Sequence, residues 1–577
     1  MKLVIAEKPS VGVSIAKVIG ANQRRDGYFE GNGYIVSWCI GHLVRMANPD
    51  KYDEKYDKWK MEDLPIFPQE YLYELNPKTR KQFTLLKKLM ADKRIGTVIN
   101  ACDAGREGES IFRLVYNQAK CKKPIQRLWI SSMEDQAIKD GFNNLKDGKD
   151  YEKLFESAQA RSIADWLVGM NLSRLYSCLY NQNYSVGRVQ TPTLDMIVQR
   201  DSEIGSFQKE KYYTVEIQGK DISLSTERID DYAVAEQFRN LIDEKIVITD
   251  VVNKEKFTNP DKPYDLTTLQ REANKVFGYS AKKSLDITQK LYEKKLVTYP
   301  RTDSRYLTED MKNLTRQLLL QLDHEFEMDE KNFSSIFGNS KVSDHYAIIP
   351  TSSSNQSTLS KLSSEEKNIY NLIKAKLLMA CSKPLIESTT KVIYEYDGFT
   401  FTANGKTVID EGFKKHEIKK KVSKEKILPN LSSGDELDVL DVVIQEKFTK
   451  PPQHFTEDTL LKAMEKAGRK SLDKEVDVER SGLGTPATRA GIIENLIYKG
   501  FVERDKKNLL ATHKGIALVA IVAEEFKSAE TTSEWEMKLS DIAKGKLSKY
   551  EFLDEIKTTI KETVDLYEKA KNKTSIR

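Results

Sequence analysis

Apolar residues in the first quarter of the chain come in short runs separated by amphipathic stretches, which predicts an α/β domain. Residues 3–6 and 97–101 are two such runs and are predicted to be buried strands. From residue 153 to 205, apolar positions recur every three or four residues, most clearly over 158–180. This spacing predicts helices, with a turn near Gly187.

The pattern changes to strands near Tyr212 and then alternates between helical and extended stretches. Strands are predicted at 213–217, 222–224 and 246–248, and later at 391–396, 399–402 and 437–444. Asp397-Gly398 lies between two of these strands and indicates a hairpin. Helices are predicted at 266–276, 281–296 and 307–326, and the residues after 456 are predicted to be mostly helical.

This order of segments predicts that the chain leaves two domains and later returns to complete them. Length alone requires several domains, because 577 residues are too many for a single core. The predicted segments are an α/β domain at 1–152, helical segments at 153–208, 263–387 and 447–577, and strand-rich segments at 209–262 and 388–446. The last helical segment is expected to complete the first one, and the second strand-rich segment to complete its predecessor.

The net charge is small for a chain of this length, at +5 from 92 basic and 87 acidic residues. Any basic surface for a polyanion must therefore be local, as in a groove. The five cysteines form no Cys-x-x-Cys motif, which excludes a zinc site of paired cysteines and argues against a disulfide framework. Neither a membrane span nor a signal peptide is predicted, so the protein is expected in the cytoplasm.

Residues 298–304, Thr-Tyr-Pro-Arg-Thr-Asp-Ser, hold the strongest candidate chemistry. Pro300 restricts the backbone on both sides, and in an extended segment Tyr299 and Arg301 point to the same side. The phenol is therefore predicted to attack a phosphate that the guanidinium neutralises. The chain has 26 tyrosines, and a core or surface position is the ordinary alternative for any one of them.

Two acidic turns each follow a predicted buried strand. Glu7 and Lys8 follow the first strand, and residues 103–109, Asp-Ala-Gly-Arg-Glu-Gly-Glu, follow the second. If the strands are neighbours, Glu7, Asp103 and Glu107 converge at the carboxyl end of the sheet. Oxygen ligands of this kind suit Mg²⁺, which keeps several waters and also binds phosphate. The alternative is a pair of capped helix starts, since acidic residues also suit helix N-termini.

These motifs resemble those of the type IA DNA topoisomerases, nearest to the bacterial topoisomerase III group. The acidic turns resemble the toprim domain of that family, and the segment around Tyr299 resembles its active-site tyrosine segment. Similar motifs continue in the family's order at residues 160–169, 185–194, 345–351, 455–460 and 482–489. The resemblance implies a toprim α/β domain, helical domains and a β-rich arch that form a toroid around a central hole.

Cleavage of a phosphodiester needs a nucleophile, charge stabilisation and an acid for the leaving hydroxyl. Tyr299 is the predicted nucleophile, and Arg301 and Lys8 are predicted to hold the phosphate. Glu7 is the predicted general acid, because neighbouring carboxylates favour its protonated form. The resemblance gives these positions the same roles and implies that His345 supports the site.

Glu7, Asp103 and Glu107 are the predicted metal ligands. The turn departs from the commoner Asp-x-Asp-x-Glu form of the family, because Gly105 occupies the position of the middle carboxylate. Fewer ligands predict one weakly bound Mg²⁺ rather than a two-metal clamp. Glu109 is expected to be structural, because it would lie too far around a helix from Glu107.

Several polar residues lie in segments that line a single-strand groove in the family: Arg161, Arg174, Ser185, Arg188 and Gln190. Arginine there suits phosphate contacts, and glutamine suits sugar or base-edge contacts. His42 and Arg489 are left out of catalysis. The lysine-rich stretch 414–426 is predicted to be a solvated loop between strands rather than a DNA contact.

The predicted function is Mg²⁺-dependent cleavage of one DNA strand, passage of another strand or duplex, and resealing. Tyr299 is expected to retain the 5′-phosphate, and the resulting ester conserves the bond energy. ATP is therefore not required, in agreement with the lack of a Gly-x-x-x-x-Gly-Lys-[Ser/Thr] motif. The expected partners are single-stranded and underwound DNA. The resemblance to the family also implies a helicase as a protein partner. The chain is expected to be monomeric and nucleoid-associated.

Three alternatives remain to be weighed. Another toprim enzyme, such as a primase or nuclease, is opposed by the Tyr299 segment. A reverse gyrase is excluded by the lack of a nucleotide-binding domain. A catalytically impaired DNA-binding relative is suggested by Gly105 and opposed by the retention of Arg301, Glu7 and Lys8. The sequence leaves open whether the main activity of the enzyme is relaxation of negative supercoils or decatenation.

Overall fold

The first 150 residues form an α/β domain, in a computed structural model that describes residues 1–342, 345–418, 425–467 and 482–574. Its strands are β1 (Lys2–Ala6), β2 (Gln23–Arg25), β3 (Tyr28–Gly31), β4 (Tyr34–Trp38), β5 (Val44–Met46), β6 (Tyr73–Leu75), β7 (Thr97–Ala101), β8 (Ile125–Arg127) and β9 (Lys146–Asp147). Its helices are α1 (Pro9–Ile19), α2 (Arg80–Ala91), α3 (Arg106–Gln118) and α4 (Asp135–Asn143). Seven strands form one sheet in the order β2-β3-β4-β1-β7-β8-β9.

Strands β1 and β7 are parallel neighbours in this sheet, with Ala6 opposite Ala101. Strand β1 also pairs with β4 on its other side, and Leu3 to Ala6 have no exposed surface. A strand buried on both faces reads as a continuous apolar run, as this one does. The predicted neighbourhood of the two strands is confirmed, and Glu7 and Asp103 follow their carboxyl ends.

The rest of the chain alternates between helices and strands. Helices α5 (Glu152–Tyr180) and α6 (Gln190–Gly205) precede β10 (Lys211–Gly219), β11 (Ile222–Thr226), α7 (Tyr232–Leu241), β12 (Lys245–Val247) and β13 (Asp250–Thr258). Six helices follow: α8 (Leu266–Phe277), α9 (Ala281–Glu293), α10 (Lys312–Leu322), α11 (Glu330–Ser335), α12 (Gln356–Ser360) and α13 (Ser364–Ala380). The next strands are β14 (Leu385–Tyr396), β15 (Phe399–Asp410), β16 (Glu436–Asp438) and β17 (Asp441–Phe448). The last segment contains β18 (Phe455–Thr456), α14 (Glu457–Lys466), α15 (Pro486–Tyr498), β19 (Val502–Asp505), β20 (Asn508–Ala511), α16 (His513–Ile521), α17 (Glu524–Lys527), α18 (Ala529–Ala543) and α19 (Lys549–Thr574).

Six strands from two separate stretches of the chain form one antiparallel sheet in the order β13-β14-β15-β11-β10-β17. The chain leaves this sheet after Thr258 and returns to it at Leu385, with helices α8 to α13 between. The predicted hairpin between β14 and β15 is confirmed, and its two turn residues, Asp397 and Gly398, both have positive φ angles, of 48° and 78°. Both values suit the tight turn that joins adjacent antiparallel strands.

Two predicted elements are wrong in detail. Residues 437–444 form two strands rather than one, because β16 pairs with β12 whereas β17 pairs with β10. The predicted helix 307–326 begins only at Lys312, because Leu307 is buried and forms a bridge with Phe337. The described part of the chain after 456 is mostly helical, as predicted, and it also contains a small sheet of β18, β20 and β19.

Helix α5 shares one hydrophobic core with the C-terminal helices, through Leu167 and Leu172 on α5, Leu539 on α18 and Ile556 on α19. Two stretches far apart in sequence are therefore packed together. The mixed architecture of α/β, helical and strand-rich parts is confirmed, whereas the central hole and the exact domain limits stay predictions. Among the described residues, none of the helices has the length and apolar character needed to cross a membrane.

Candidate active site

Tyr299 lies in an extended segment between α9 and α10 and is buried against the α/β domain. Its hydroxyl donates a hydrogen bond of 2.8 Å to Oδ2 of Asp103, and its amide donates one of 3.1 Å to the carbonyl of Ser131. Tyr292 packs edge-on against the ring, with the ring centroids 5.3 Å apart. The predicted nucleophile and a predicted metal ligand are therefore in direct contact.

The protonation of Tyr299 follows from these surroundings. Burial, and then the carboxylates of Asp103 and Glu7, raise the pKa of Tyr299 well above its ordinary value, while Arg301 opposes the shift. The phenol therefore keeps its proton, as its hydrogen bond to Asp103 requires. Because Asp103 accepts that bond, its carboxylate is the nearest base for the phenol proton.

Glu7 is 3% exposed and lies at the same sheet edge, where its Oε2 accepts a hydrogen bond of 3.3 Å from the amide of Asp103. Burial and then the negative charge of Asp103 raise the pKa of Glu7 to about 8, against the opposing charges of Arg301 and Lys8. The carboxyl group is therefore largely protonated at neutral pH. A buried, protonated carboxyl beside a nucleophile is suited to act as a general acid.

Two cations face this carboxyl group. Burial would lower the pKa of Arg301, but the neighbouring Tyr299, Glu7 and Asp103 outweigh it and raise that pKa. The Nε atom of Arg301 is buried and has no hydrogen-bond partner within the described residues. Lys8 precedes the first turn of α1, which contains no acidic residue, and its Nζ lies 3.8 Å from Glu293. A guanidinium, an ammonium and a helix N-terminus together favour an anion such as phosphate.

Arg127, a buried residue that the sequence analysis missed, fixes the turn between β7 and α3. Its guanidinium donates to the carbonyls of Asn100, Cys102 and Asp103 over 3.2, 2.6 and 2.7 Å. Its Nε lies 3.2 Å from Oε2 of Glu109, which is 1% exposed. Glu109 therefore holds the turn from inside the domain, which is the structural place expected for it.

Gly108 allows the first turn of α3 to pack against the acidic turn, because a Cβ atom there would lie 2.0 Å from the carbonyl oxygen of Asp103. Gly108→Ala is expected to destabilise the protein by about 1–3 kcal/mol, because the backbone must shift to relieve the overlap. Strand cleavage should fall as well, since Asp103 contacts Tyr299. Urea unfolding and a cleavage assay would measure both effects.

Gly491 offers a matched control, because it is exposed within α15 and a Cβ atom there would meet nothing within 4 Å. Gly491→Ala is expected to be neutral or stabilising by about 0.5–1 kcal/mol, through its helix propensity. Equal stability and cleavage for Gly108→Ala and the unchanged chain would contradict the packing argument.

Glu107 lies in the first turn of α3, where Nε2 of His42 is 2.5 Å from its Oε1. The hydrogen bond to Glu107 raises the pKa of His42, and the same bond lowers the pKa of Glu107. Both side chains are more than two-fifths exposed. His42, which the sequence analysis left out of catalysis, is therefore part of the candidate site and orients a predicted metal ligand.

The donor set suits a magnesium ion with few protein ligands. In the part of the chain that the structure describes, no three acidic, histidine or cysteine side chains are arranged as a ready metal site. Asp103 and Glu107 lie at the start of α3, and their oxygens fit an ion that also keeps waters and a phosphate oxygen. Glu7 does not suit a ligand role while it is protonated. Gly105, with φ +149°, occupies the sharp entry into α3.

His345 is buried between the tyrosine segment and the α/β domain. Its ring lies against that of Tyr299, with centroids 4.2 Å apart. Its Nδ1 lies 2.8 Å from Oγ of Ser131, and its Nε2 contacts the carbonyl of Ala104. Burial lowers the pKa of His345 to about 4, so the ring is neutral at pH 7. A neutral ring that donates to Ala104 and accepts from Ser131 positions the nucleophile rather than carrying a charge.

Arg161 and Arg188, two predicted DNA contacts, meet a buried carboxylate of α18. Nη2 of Arg188 lies 2.9 Å from Oε1 of Glu536, and Nη2 of Arg161 lies 3.5 Å from the same atom. Arg106, beside the acidic turn, approaches Glu536 to 4.0 Å, and Asp165 is 2.8 Å from Nε of Arg188. The side chain of Arg188 has no exposed surface. The acidic turn, α5 and α18 are thus joined by one ion cluster.

Glu536→Gln is expected to destabilise the protein by about 3–5 kcal/mol, because the buried arginines lose their counter-charge. Burial alone would raise the pKa of Glu536, but Arg161, Arg188 and Arg106 outweigh it and lower that pKa to about 2. Because the pKa of Glu536 is lowered, its ionised form stabilises the folded state fully above the unfolded-state pKa, near 4.5. This stabilisation is lost as the pH falls through about 2. Urea unfolding between pH 7 and pH 3 would measure the difference.

An exposed residue of the same helix, Glu534, provides the control Glu534→Gln, with an expected change in the free energy of unfolding within about 0.5 kcal/mol.

Ser185 and Gln190 meet at α15. Nε2 of Gln190 donates to the carbonyl of Ser185 over 3.2 Å, and its Oε1 accepts from Asn495 over 2.7 Å. The ammonium group of Lys499 donates to the Ser185 hydroxyl. Arg174 lies elsewhere, near the end of α5, where its guanidinium carbon is 5.3 Å from the ring centroid of Trp59. The predicted DNA contacts thus form separate groups, and their role in binding DNA stays a prediction.

Two other predicted features have less defined outcomes. Arg489 is 4% exposed and donates to the carbonyl of Leu483 and to the hydroxyl of Thr267, so it stays outside the candidate site. The lysine-rich stretch 414–426 lies partly outside the described residues. Its first part forms a short 3₁₀ turn, Gly412–His416.

Arg127, Ser131 and Glu536 are functional positions that the sequence analysis missed. Arg127 gave a faint signal, as a charged residue within the apolar stretch 125–130. Glu536 follows Trp535 and precedes Leu539 by three positions, so it lies on the apolar face of a helix, where a carboxylate needs a partner. Ser131 gave no signal, because its contacts, from its hydroxyl to His345 and from its carbonyl to the amide of Tyr299, are made to residues more than 160 positions away.

Comparison with known proteins shows which family the chain belongs to. A family model described as DNA topoisomerase matches residues 149–554, and a second, described as Toprim domain, matches residues 2–133. DNA topoisomerase 3 of Bacillus licheniformis is 42% identical over 591 residues, which cover 97% of this chain and 81% of that protein. DNA topoisomerase 3 of Bacillus subtilis is 40% identical over 593 residues, with the same coverage.

A solved structure shows the same fold at low sequence identity. Full-length topoisomerase I from Thermotoga maritima superposes with a TM-score of 0.76 at 22% identity, over 97% of this chain and 90% of that one. The toprim domain predicted from the acidic turns is confirmed. The chain belongs to the type IA DNA topoisomerase family. The two Bacillus relatives are both DNA topoisomerase 3 proteins, which confirms the predicted topoisomerase III group.

Proposed function

We propose that this chain is a topoisomerase that cuts one DNA strand with Tyr299 and passes another strand or duplex through the gap. The observation that carries the proposal is the hydrogen bond of 2.8 Å from the Tyr299 hydroxyl to Asp103. It joins the tyrosine segment to the acidic turn 103–109, and the amide of Asp103 in that turn also donates to Glu7. A nucleophile, an acid and two cations in one place meet the requirements of phosphodiester cleavage.

In the proposed cleavage, the phenolic oxygen of Tyr299 attacks the phosphorus and forms an ester with the 5′-phosphate. The bond to the 3′-oxygen breaks, and Glu7 gives its proton to that oxygen while Asp103 or water takes the phenol proton. Arg301 and Lys8 neutralise the phosphate charge. Resealing reverses these steps, with the Glu7 carboxylate taking the proton back. The ester retains the bond energy, so the cycle needs no ATP.

Asp103 and Glu107 are the residues that would hold Mg²⁺. When bound, the ion supplies positive charge beside the phosphate. The contact of 2.5 Å with His42 would keep Glu107 oriented. Gly105 leaves one carboxylate fewer than the commoner turn of the family, which supports a single ion. Glu7 as a third ligand stays a prediction.

Access to Tyr299 requires an opening movement, because its side chain is 5% exposed. The contact with Asp103 would have to break, as would the bond between His345 and Ser131. These contacts are polar, so they can exchange with water while the site opens and re-form once it closes. Such an opening also supports strand passage, in relaxation and in decatenation alike. A helicase partner, a monomeric state and nucleoid association stay predictions.

Covalent trapping tests this proposal. The protein is mixed with a single-stranded oligonucleotide labelled at its 3′ or 5′ end, and the mixture is quenched with denaturant. Protein-bound label is expected from the 3′-labelled strand only, because Tyr299 keeps the 5′-phosphate side of the break. A chelator is expected to slow resealing. Label from the 5′-labelled strand would reverse the predicted polarity, and no adduct from either strand would favour the catalytically impaired DNA-binding relative.

A further inference from the structure

Residues 131–135 connect the α/β domain to the part of the chain that carries Tyr299, which runs from α8 to α13. The carbonyl of Ser131 accepts a hydrogen bond from the amide of Tyr299 over 3.1 Å. Three positions later, Oε1 of Glu134 accepts one from the amide of Ser352 over 3.1 Å. These contacts cross between two parts of the fold, so they must break whenever the two parts separate.

Lys295 adds a third contact from the end of α9. Its amide donates to the carbonyl of Tyr292 over 2.8 Å, and the next amide, of Leu296, donates to the carbonyl of Leu291 over 2.9 Å. This pair of bonds is the Schellman motif, in which glycine commonly occupies the left-handed position after the helix. Lys295 occupies that position here, with a φ angle of +64°. A residue with a Cβ atom is strained there, and such strain persists where the surroundings fix the residue.

The backbone and the side chain of Lys295 are both fixed by contacts outside α9. Its carbonyl accepts a hydrogen bond from the hydroxyl of Thr351, and its ammonium group lies 2.6 Å from Oδ1 of Asp135, the first residue of α4. The hydrogen bond from Lys295 lowers the pKa of Asp135 although burial opposes the shift, so this carboxylate is ionised at neutral pH. The Lys295 side chain is only 24% exposed. A close ion pair therefore spans the same boundary as the two amide contacts.

The stretch between Lys295 and Tyr299 connects this ion pair to the reacting hydroxyl. Only three residues separate the two side chains in sequence, and two of them, Leu296 and Val297, are each 1% exposed. Because a short stretch that is closely packed moves as a unit, Lys295 and Tyr299 leave the α/β domain together.

We propose that the ion pair of Lys295 with Asp135 is a latch that positions Tyr299 against the acidic turn and sets how often Tyr299 becomes accessible. Added salt weakens such a pair, because both charges are partly exposed to solvent. Lys295 is a positioning residue, since its ammonium group acts through Tyr299 and not on the phosphate. The latch rests on the proposed function, because it controls the opening that strand cleavage requires.

Hydrogen exchange tests the latch on the full chain without DNA. The amide of Tyr299 bonds across the boundary, to Ser131, whereas the neighbouring amide of Thr298 bonds to the carbonyl of Ile349 over 3.0 Å, on its own side. Exchange at Tyr299 therefore reports separation of the two parts, and exchange at Thr298 reports unfolding of the part that carries Tyr299. Residue-resolved mass spectrometry would measure both rates.

Lys295→Asn is expected to raise the exchange rate at Tyr299 by about 2- to 5-fold, the range of one ion pair near the surface, and to leave the rate at Thr298 unchanged. Asparagine tolerates a positive φ angle, so this variant removes the charge without adding strain. Asp135→Asn should have the same effect, and the two substitutions together should add nothing to either alone. The charge swap, Lys295→Asp with Asp135→Lys, should restore most of the protection at Tyr299.

Salt gives a second test of the same pair. Raising the salt concentration from about 0.05 M to about 0.5 M should speed exchange at Tyr299 in the unchanged chain but not in Lys295→Asn, because only the unchanged chain has the charges to be screened. Lys120→Asn is the matched control. Lys120 also follows a helix with a positive φ angle, of 55°, but it is exposed at the end of α3 remote from the acidic turn. Its exchange rate at Tyr299 should equal that of the unchanged chain.

Unchanged exchange at Tyr299 in Lys295→Asn and Asp135→Asn, or additive effects of the two, would overturn the latch. An equal rise at Thr298 would also overturn it, because the substitutions would then act on folding. Faster exchange at Tyr299 alone that the charge swap reverses, with no covalent adduct in the trapping assay, would support the latch and overturn the proposed cleavage. A covalent adduct together with unchanged exchange would overturn the latch only.

Discussion

Tyr299→Phe is expected to abolish the covalent protein–DNA adduct and to lower strand cleavage by at least about 10⁴-fold. The substitution removes only the hydroxyl, which is the proposed nucleophile and the donor to Asp103. The ring and its packing against His345 remain. Relaxation of a negatively supercoiled plasmid should be lost with the adduct, because strand passage requires the break.

Tyr292→Phe provides a matched control in the same pocket. Tyr292 is 3% exposed, and its ring is 5.3 Å from that of Tyr299. Removal of its hydroxyl should change the cleavage rate by less than about 10-fold, since it makes no proposed contact with the phosphate. An adduct of wild-type yield from Tyr299→Phe would show that another residue is the nucleophile.

Glu7→Gln is expected to lower cleavage by about 10²- to 10⁴-fold, the usual contribution of a general acid. The amide matches the shape of the protonated carboxyl but cannot give a proton to the leaving 3′-oxygen. The pKa of Glu7, raised to about 8, also predicts that cleavage by the unchanged chain falls as the pH rises through 8. That alkaline decline should be missing from the residual activity of Glu7→Gln. Single-turnover cleavage between pH 6 and pH 9.5 would measure both effects.

Glu7→Gln should lower cleavage but raise the free energy of unfolding at alkaline pH. Because folding raises the pKa of Glu7 from 4.5 to about 8, its protonated form favours the folded state, and this contribution is lost as the pH rises through about 8. Glu7→Gln cannot ionise and is therefore expected to be more stable than the unchanged chain at pH 9. Glu30→Gln, at a carboxylate paired with Arg94 away from the site, should alter neither cleavage nor its pH dependence. A Glu7→Gln protein with full activity would remove Glu7 from the mechanism.

The order of elements was predictable because local patterns specify it. The apolar run of β1 fills a strand buried on both sides, and the alternating residues of β10 fill one face of a sheet. Prediction failed where a distant partner decides the structure. Residues 437–444 form two strands because two different strands pair with them, and no periodicity within eight residues carries that information.

By itself the sequence determined the family, and it predicted Tyr299 and Glu7 as reacting groups and Asp103 as a metal ligand. Short motifs in a fixed order carry this information. Only the tertiary structure decided that Tyr299 donates to Asp103 across 196 positions of sequence, and that Glu536 holds arginines from two other segments. It also decided the protonation of Glu7, since burial beside Asp103 is the cause of its raised pKa. Burial and charge at a site are sums over residues that folding brings together, so they exist only once the chain is folded.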